Sequence, residues 1–252
     1  MVNRCLSLAL ALSFLLVSAV PAVAAKSYIN GIDANYPPFA YVDAKGKPAG
    51  FDVDAMNWIA AKMGFTVTHQ PMDWNGIIPN LRAKKIDMVC SGMSITPERQ
   101  LQVTFSAPYY TVKKVLVVRN NSKLTVEQAM TGKKRIGSQR GTDEAEWLAK
   151  HQGKEGRNYQ IGYYDSSPMA IDDLLNGRID AAGMDSAPAE DAINRSKKPV
   201  KIIGEFAPSN DFGVAMRNED KELHALVNEG FRLLKADPYW QTLIQKHLSP
   251  KQ

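Results

Sequence analysis

Between Asp33 and Asp185 the chain carries short polar and aromatic stretches whose residue types complement one another. The first is Asp33-Ala34-Asn35-Tyr36-Pro37-Pro38-Phe39, and Trp74 follows. Ser91-Gly92-Met93-Ser94-Ile95-Thr96-Pro97-Glu98-Arg99 comes next, then Gly141-Thr142-Asp143, and last Asp180-Ala181-Ala182-Gly183-Met184-Asp185. Together they offer a guanidinium for a carboxylate, an aspartate for an ammonium, and two aromatic walls. That set complements the two ends and the side chain of a free α-amino acid. No single stretch is specific; the combination in this order is.

Each residue also has a plainer reading. Thr96 suits a helix N-cap and Pro97 a first helical position, which would hold Arg99 against the preceding turn. There its guanidinium can grip a carboxylate through two parallel hydrogen bonds, or it can simply pair with Glu98 at the surface. The turn Ser91-Gly92-Met93-Ser94 can add hydroxyl and backbone contacts. Gly141-Thr142 opens a helix after a strand, and free N–H groups at a helix start attract anions. Asp143 in that first turn is equally explained by the helix dipole. Asp185 precedes Ser186-Ala187-Pro188, so it is either an ammonium partner or a neighbour of a cap. Tyr36 and Trp74 are either ligand walls or core. Asp33 lies three residues before Tyr36 and can face the same pocket.

Alternating strand and helix patterns must position these residues, which argues an α/β fold. Strands are expected over 29–33, 65–69, 86–90, 115–118, 133–137, 179–183 and 212–216. Gly50-Phe51-Asp52-Val53-Asp54 leads into a helix through Lys62 that Gly64 stops. Helices are also expected over 75–84, with Pro79 in the first turn, and over 98–103, 167–176 and 187–196. Another runs from Gly141-Thr142 through Lys150. Leu223, Leu226, Val227, Gly230, Phe231 and Leu234 follow the spacing of one amphipathic face, and Pro238 opens a final helix. A weak two-fold echo is present, Lys85-Ile86-Asp87 and Arg178-Ile179-Asp180. Each leads a buried strand toward a polar turn at its carboxyl end, where open α/β sheets bind ligands. Two such units facing each other make a cleft.

Composition narrows the classes further. Arg4, the uncharged apolar run 6–20 and the small residues Ala22-Val23-Ala24 read as a secretory signal peptide over residues 1–25. Cys5 precedes the apolar run, which argues against a lipid anchor, and it leaves with the signal. Cys90 is then alone, so no internal disulfide is expected. The formal charge of +5 is spread among acids, and Lys133-Lys134-Arg135 is too short a basic run to suggest nucleic acid. His69, His151, His224 and His247 show no metal-ligand spacing, and no metal or cofactor is expected. Nothing follows Gln252 that would span a membrane or signal, which disfavours a receptor sensor domain. A monomer is the default.

Seven stretches carry a resemblance to a known family: Gly31 to Asp43, Gly50 to Asp54, Asp73 to Leu81, Lys85 to Arg99, Phe105 to Tyr110, Gly137 to Trp147 and Gly177 to Asp185. The chain resembles the polar amino-acid-binding proteins of bacterial ABC importers, in the histidine, arginine and glutamine-binding group (solute-binding protein family 3). The resemblance implies a type II periplasmic-binding-protein fold, two lobes around a ligand cleft, joined by two hinge strands near 111–114 and 211–214. Lobe 1 would be 26–112 with 213–252, and lobe 2 would be 113–212. It implies a non-enzymatic role: capture of a free polar L-amino acid in the periplasm and delivery to a membrane ABC permease by lobe closure. Arg99 would take the α-carboxylate with Gly92, Ser94 and the Thr142 region, and Asp185 the α-ammonium. Tyr36 and Trp74 would pack on the side chain, and Asp33 would reach its tip. Asp143 departs from the hydroxyl residue common at that point; if it faces the cleft, the acids favour a basic or uncharged polar ligand. The alternative is a cyclohexadienyl dehydratase, acting on prephenate or arogenate, on the same scaffold. A carboxyl group of raised pKa in the pocket would favour it.

Overall fold

Two five-stranded sheets, each flanked by helices, form the two lobes of this α/β protein. The structure is a computed structural model that describes residues 25–249. The signal-peptide reading falls on positions 1–24, outside the described residues, and on Ala25. No helix among the described residues is long and apolar enough to cross a membrane.

In the first lobe the strand Ser27–Asp33 pairs in parallel with Thr66–Met72 and with Met88–Val89. Ala215–Met216 and Thr104–Phe105 complete that sheet in antiparallel fashion. Parallel neighbours need a crossover, and the helix Phe51–Met63 supplies the first. Gly64 ends it in the left-handed conformation, at φ 76°, as the sequence anticipates. Phe51, Ala55, Met56 and Ile59 on this helix join Leu223, Val227, Phe231 and Leu234 of the helix Lys221–Ala236 in the largest apolar cluster. The chain's last helices therefore return to the first lobe. Gly230 allows the close approach: a Cβ there would lie 2.3 Å from Ile59 Cγ2.

The second sheet runs Gln160–Tyr164, Arg135–Gln139, Ala181–Asp185, Tyr110–Arg119, Val200–Phe212. Its long strand Tyr110–Arg119 shows why an apolar run rather than an alternating one is expected there. Val115 and Val117 point into one apolar cluster, Leu116 and Val118 into the other. Helices cover both faces, so successive side chains are buried on opposite sides.

Tyr110–Arg119 and Val200–Phe212 also carry the chain between lobes. They pair antiparallel from Arg119↔Val200 to Tyr110↔Phe212, with register shifts between Ile202 and Asn210. At the far end Asp211 O accepts from Ile95 N at 2.8 Å and Phe212 O from Tyr109 N at 3.0 Å, both in the first lobe.

The sequence places one late strand over 212–216, whereas the structure has Val200–Phe212 and then Ala215–Met216. Gly204, Pro208, Ser209, Asn210 and Asp211 read locally as breakers; the bulges accommodate them within an otherwise paired strand. The strand expected over 86–90 is reduced to Met88–Val89. The helix expected from 75 begins as the 3-10 turn Trp74–Gly76, capped by Asp73, before the α-helix Ile77–Arg82.

Candidate functional site

The carboxyl ends of the parallel strands of both sheets point into the cleft. Asp33 ends Ser27–Asp33, Gln139 ends Arg135–Gln139 and Asp185 ends Ala181–Asp185. Between them lies a cavity. Asp33, Tyr36, Trp74, Ser91 and Gly92 line it from the first lobe, and Gln139, Thr142, Asp143, Glu144 and Asp185 from the second.

The first-lobe wall is held by a buried carboxylate. Asp52 Oδ2, in the first turn of Phe51–Met63, accepts from Gly92 N at 2.6 Å and from the Tyr109 hydroxyl at 2.8 Å. Burial pushes its pKa up to about 7 despite those two donors. Ser91 Oγ accepts from Asp33 N at 3.0 Å, which fixes the strand end against the turn. Met93 lies in the core with Ile77, Leu81 and Val103, so only its backbone is available to this turn.

Hydrogen bonds across the cleft join the lobes around the cavity. Gln139 Nε2 donates to Asp33 Oδ2 at 2.6 Å. The amide is oriented by Ser167, whose N and Oγ both donate to Gln139 Oε1. Burial raises the Asp33 pKa, opposed by the donors on Gln139 and Asn35. The Tyr36 hydroxyl donates to Asp185 Oδ2. Trp74 Nε1 and Arg99 Nη2 both donate to Gly141 O at 3.1 Å. Arg99 Nη1 donates to Ser94 O at 2.9 Å, and Thr96 caps the Arg99 backbone at 3.2 Å. Arg99, Ser94, Met93 and Gly141 thus sit behind or beside the cavity rather than on its lining. The Tyr36 and Trp74 rings are parallel within 12°, their centroids 6.5 Å apart.

Three acids cluster at the second-lobe wall. Burial, then repulsion from Asp143, pushes Asp185 up to about 7. Glu144 is pushed well above the carboxylate range by burial and by Asp185 and Asp143. Asp143 goes the other way: Arg99 and Lys114 hold it down against the opposing effect of burial. Asp185 Oδ1 and Glu144 Oε2 are buried without a hydrogen-bond partner, and both residues line the cavity.

Residues 28–250 match the sequence profile of the bacterial extracellular solute-binding proteins, family 3. The chain belongs to that family. It is 30% identical over 249 residues to the histidine-binding periplasmic protein of Salmonella typhimurium, covering 96% of this chain and 95% of that one. A solved ancestral arginine-binding protein bound to arginine superposes with a TM-score of 0.81 at 33% identity, covering 88% of this chain and 98% of that one. The ancestral amino acid-binding protein AncCDT-1, a precursor of cyclohexadienyl dehydratase, gives 0.80 at 31% identity, covering 88% and 96%.

In this family member the cleft also uses residues the sequence does not single out. Glu144 and Gln139 lie within the 137–147 motif but read locally as a helix-start acid and a strand polar residue. Lys114, Asn210 and Asp52 are far from the motif residues they touch, so no spacing reveals them. Asp143 is 7% exposed and paired with Lys114, so it faces the interior rather than solvent.

Gly92 is a tight point of the first-lobe wall. Its φ is 61°, and an added Cβ would sit 2.5 Å from Tyr36 Cε1. Gly92→Ala is expected to displace the Tyr36 ring from Asp185 at a strain of ~1–3 kcal/mol. Ligand affinity measured by titration calorimetry should fall by about tenfold or more, with the far-ultraviolet circular dichroism unchanged. Unchanged affinity would show that the Tyr36 position is not needed.

Proposed function

We propose that this solute-binding protein captures a free basic L-amino acid and delivers it to a membrane ABC permease by lobe closure. One observation carries the ligand class: Asp33, Asp143, Glu144 and Asp185 line the cavity, and among the described residues no lysine or arginine does. Asp143 is paired with Lys114, but among the described residues Asp33 and Asp185 have no cationic partner, so an anionic side chain would meet them unfavourably, whereas a cation is attracted. The α-ammonium lies against Asp185, whose free oxygen faces it. The side-chain cation lies between Tyr36 and Trp74 toward Asp33. The α-carboxylate takes the N–H groups at the start of the helix Asp143–His151, beside Thr142, with Arg99 reaching it from beside the cavity.

Closure follows from contacts made to both lobes by one ligand, which stabilise the closed state differentially. We place the hinges where Thr111 and Val112 face Asp211 and Asn210, with lobe 1 as 26–112 and 213–252 and lobe 2 as 113–212. The protein reaches the periplasm through a cleaved signal peptide over 1–25 and acts as a monomer without enzymatic turnover.

A thermal-shift series on the refolded mature chain tests this reading. L-arginine, L-lysine, L-ornithine and L-histidine should stabilise it, by ~2.7 kcal/mol at a hundredfold excess over Kd. L-glutamate should give no shift; stabilisation by L-glutamate alone would sink the ligand assignment.

One observation favours the dehydratase reading: Glu144 is a buried carboxyl group whose pKa is pushed well above the usual carboxylate range, the direction a general acid needs. The carboxylate-rich lining weighs against it, because prephenate itself brings two carboxylates. Appearance of aromatic product from prephenate or arogenate in a spectrophotometric assay would move the chain to that class.

A further inference from the structure

We propose that Lys114 is a positioning residue of the binding site: through Asp143, its ammonium sets the charge at the start of helix Asp143–His151 so that this end of the cavity admits a carboxylate. This rests on the reading above, in which the ligand carboxylate lies against Arg99 and that helix start.

Lys114 is on the crossing strand Tyr110–Arg119, opposite Asp185 on one side and Ala207 on the other. Its side chain is 3% exposed, and Nζ lies 2.5 Å from Asp143 Oδ2. The same oxygen accepts from Asn210 Nδ2 at 2.6 Å, and Asn210 faces Val112 on the second crossing strand. The helix start is therefore tied to both strands that join the lobes. A buried lysine is costly to desolvate, and its retention on one aspartate calls for a compensating gain.

The gain is electrostatic. A helix start offers only about half a positive charge. Asp143 places a full negative charge in its first turn, beside Glu144 and Asp185. Without Lys114 that carboxylate would repel the ligand carboxylate and compete with it for Arg99, which also favours its ionised form. With Lys114 and Asn210 engaging Asp143, the Arg99 charge and the helix N–H groups remain directed at the ligand.

The experiment compares L-arginine with L-argininamide, which lacks the carboxylate charge, by titration calorimetry on the full mature chain. The readout is the preference ratio for L-arginine over the amide. Lys114→Met should lower that ratio on the order of tenfold. The charge-neutral double variant Lys114→Met with Asp143→Asn should restore it to within about threefold, because the repelling group is gone. Equal loss of both ligands in Lys114→Met, or a double variant no better than the single one, would make Lys114 a purely structural residue. Should Lys114→Met not fold, Asp143→Asn alone decides: the ratio rises if Asp143 opposes the carboxylate, and an unchanged or lowered ratio overturns the proposal. A wild-type protein that binds arginine and its amide equally would overturn the carboxylate assignment itself, a failure distinct from that of Lys114.

Discussion

Arg99→Ala is expected to cost roughly 2–5 kcal/mol of amino-acid binding, a loss of about thirtyfold to several thousandfold. Arg99 is 5% exposed, and its guanidinium spans the cleft, donating to Ser94 O on one side and Gly141 O on the other. It also lies 5.8 Å from the Trp74 ring centre, so its removal loosens one aromatic wall. The variant should fold, since Thr96 and Pro97 still start the short helix Pro97–Gln100. Titration of L-arginine into wild type and variant decides the matter: affinity within threefold of wild type would end the carboxylate assignment.

Asp185→Asn should weaken binding by a similar ~2–5 kcal/mol, and it should also remove a pH dependence. Asp185 titrates near 7 because burial and Asp143 oppose its ionisation more than Lys114, Tyr36 and Arg99 favour it. An ammonium ligand requires the ionised form. Above pH 8 the carboxylate is already charged and binding releases no proton from it. Below 7 binding must expel one, so affinity should fall toward pH 5 by up to about tenfold per unit. The sign for stability is opposite. A carboxyl raised from 3.8 to about 7 in the fold stabilises at low pH, and that contribution is lost as pH rises through 7. Calorimetry at pH 6 and pH 8, in buffers of different ionisation enthalpy, reads the released proton directly. A flat profile in the wild type would mean that another group holds the ammonium.

The residues of the cleft differ in how far local pattern exposes them. Tyr36, Trp74, Gly92, Thr142 and Asp185 stand in motifs whose spacing places them at strand ends and helix starts, and they line one cavity. Arg99 is placed by its own cap and by the turn before it, but its partner across the cleft, Gly141 O, is a backbone atom that no motif announces. Asp143 is visible as a helix-start acid; its engagement with Lys114 and Asn210 is not, because those residues enter from the two crossing strands, distant in the chain.

The sequence by itself determined the α/β class, the apolar strand cores and the amphipathic helix Lys221–Ala236, because each follows from periodicity within a few residues. It also carried the helix starts at Thr96 and Thr142, whose caps are local. Only the tertiary structure decided that Val200–Phe212 is one bulged strand, that Asp52 holds Gly92, that Gln139 reaches Asp33, and that Lys114 offsets Asp143. The physical reason is the same throughout. These are pairings between residues distant in the chain, their strength set by shared burial and charge, and a local pattern carries no record of which distant group is brought alongside.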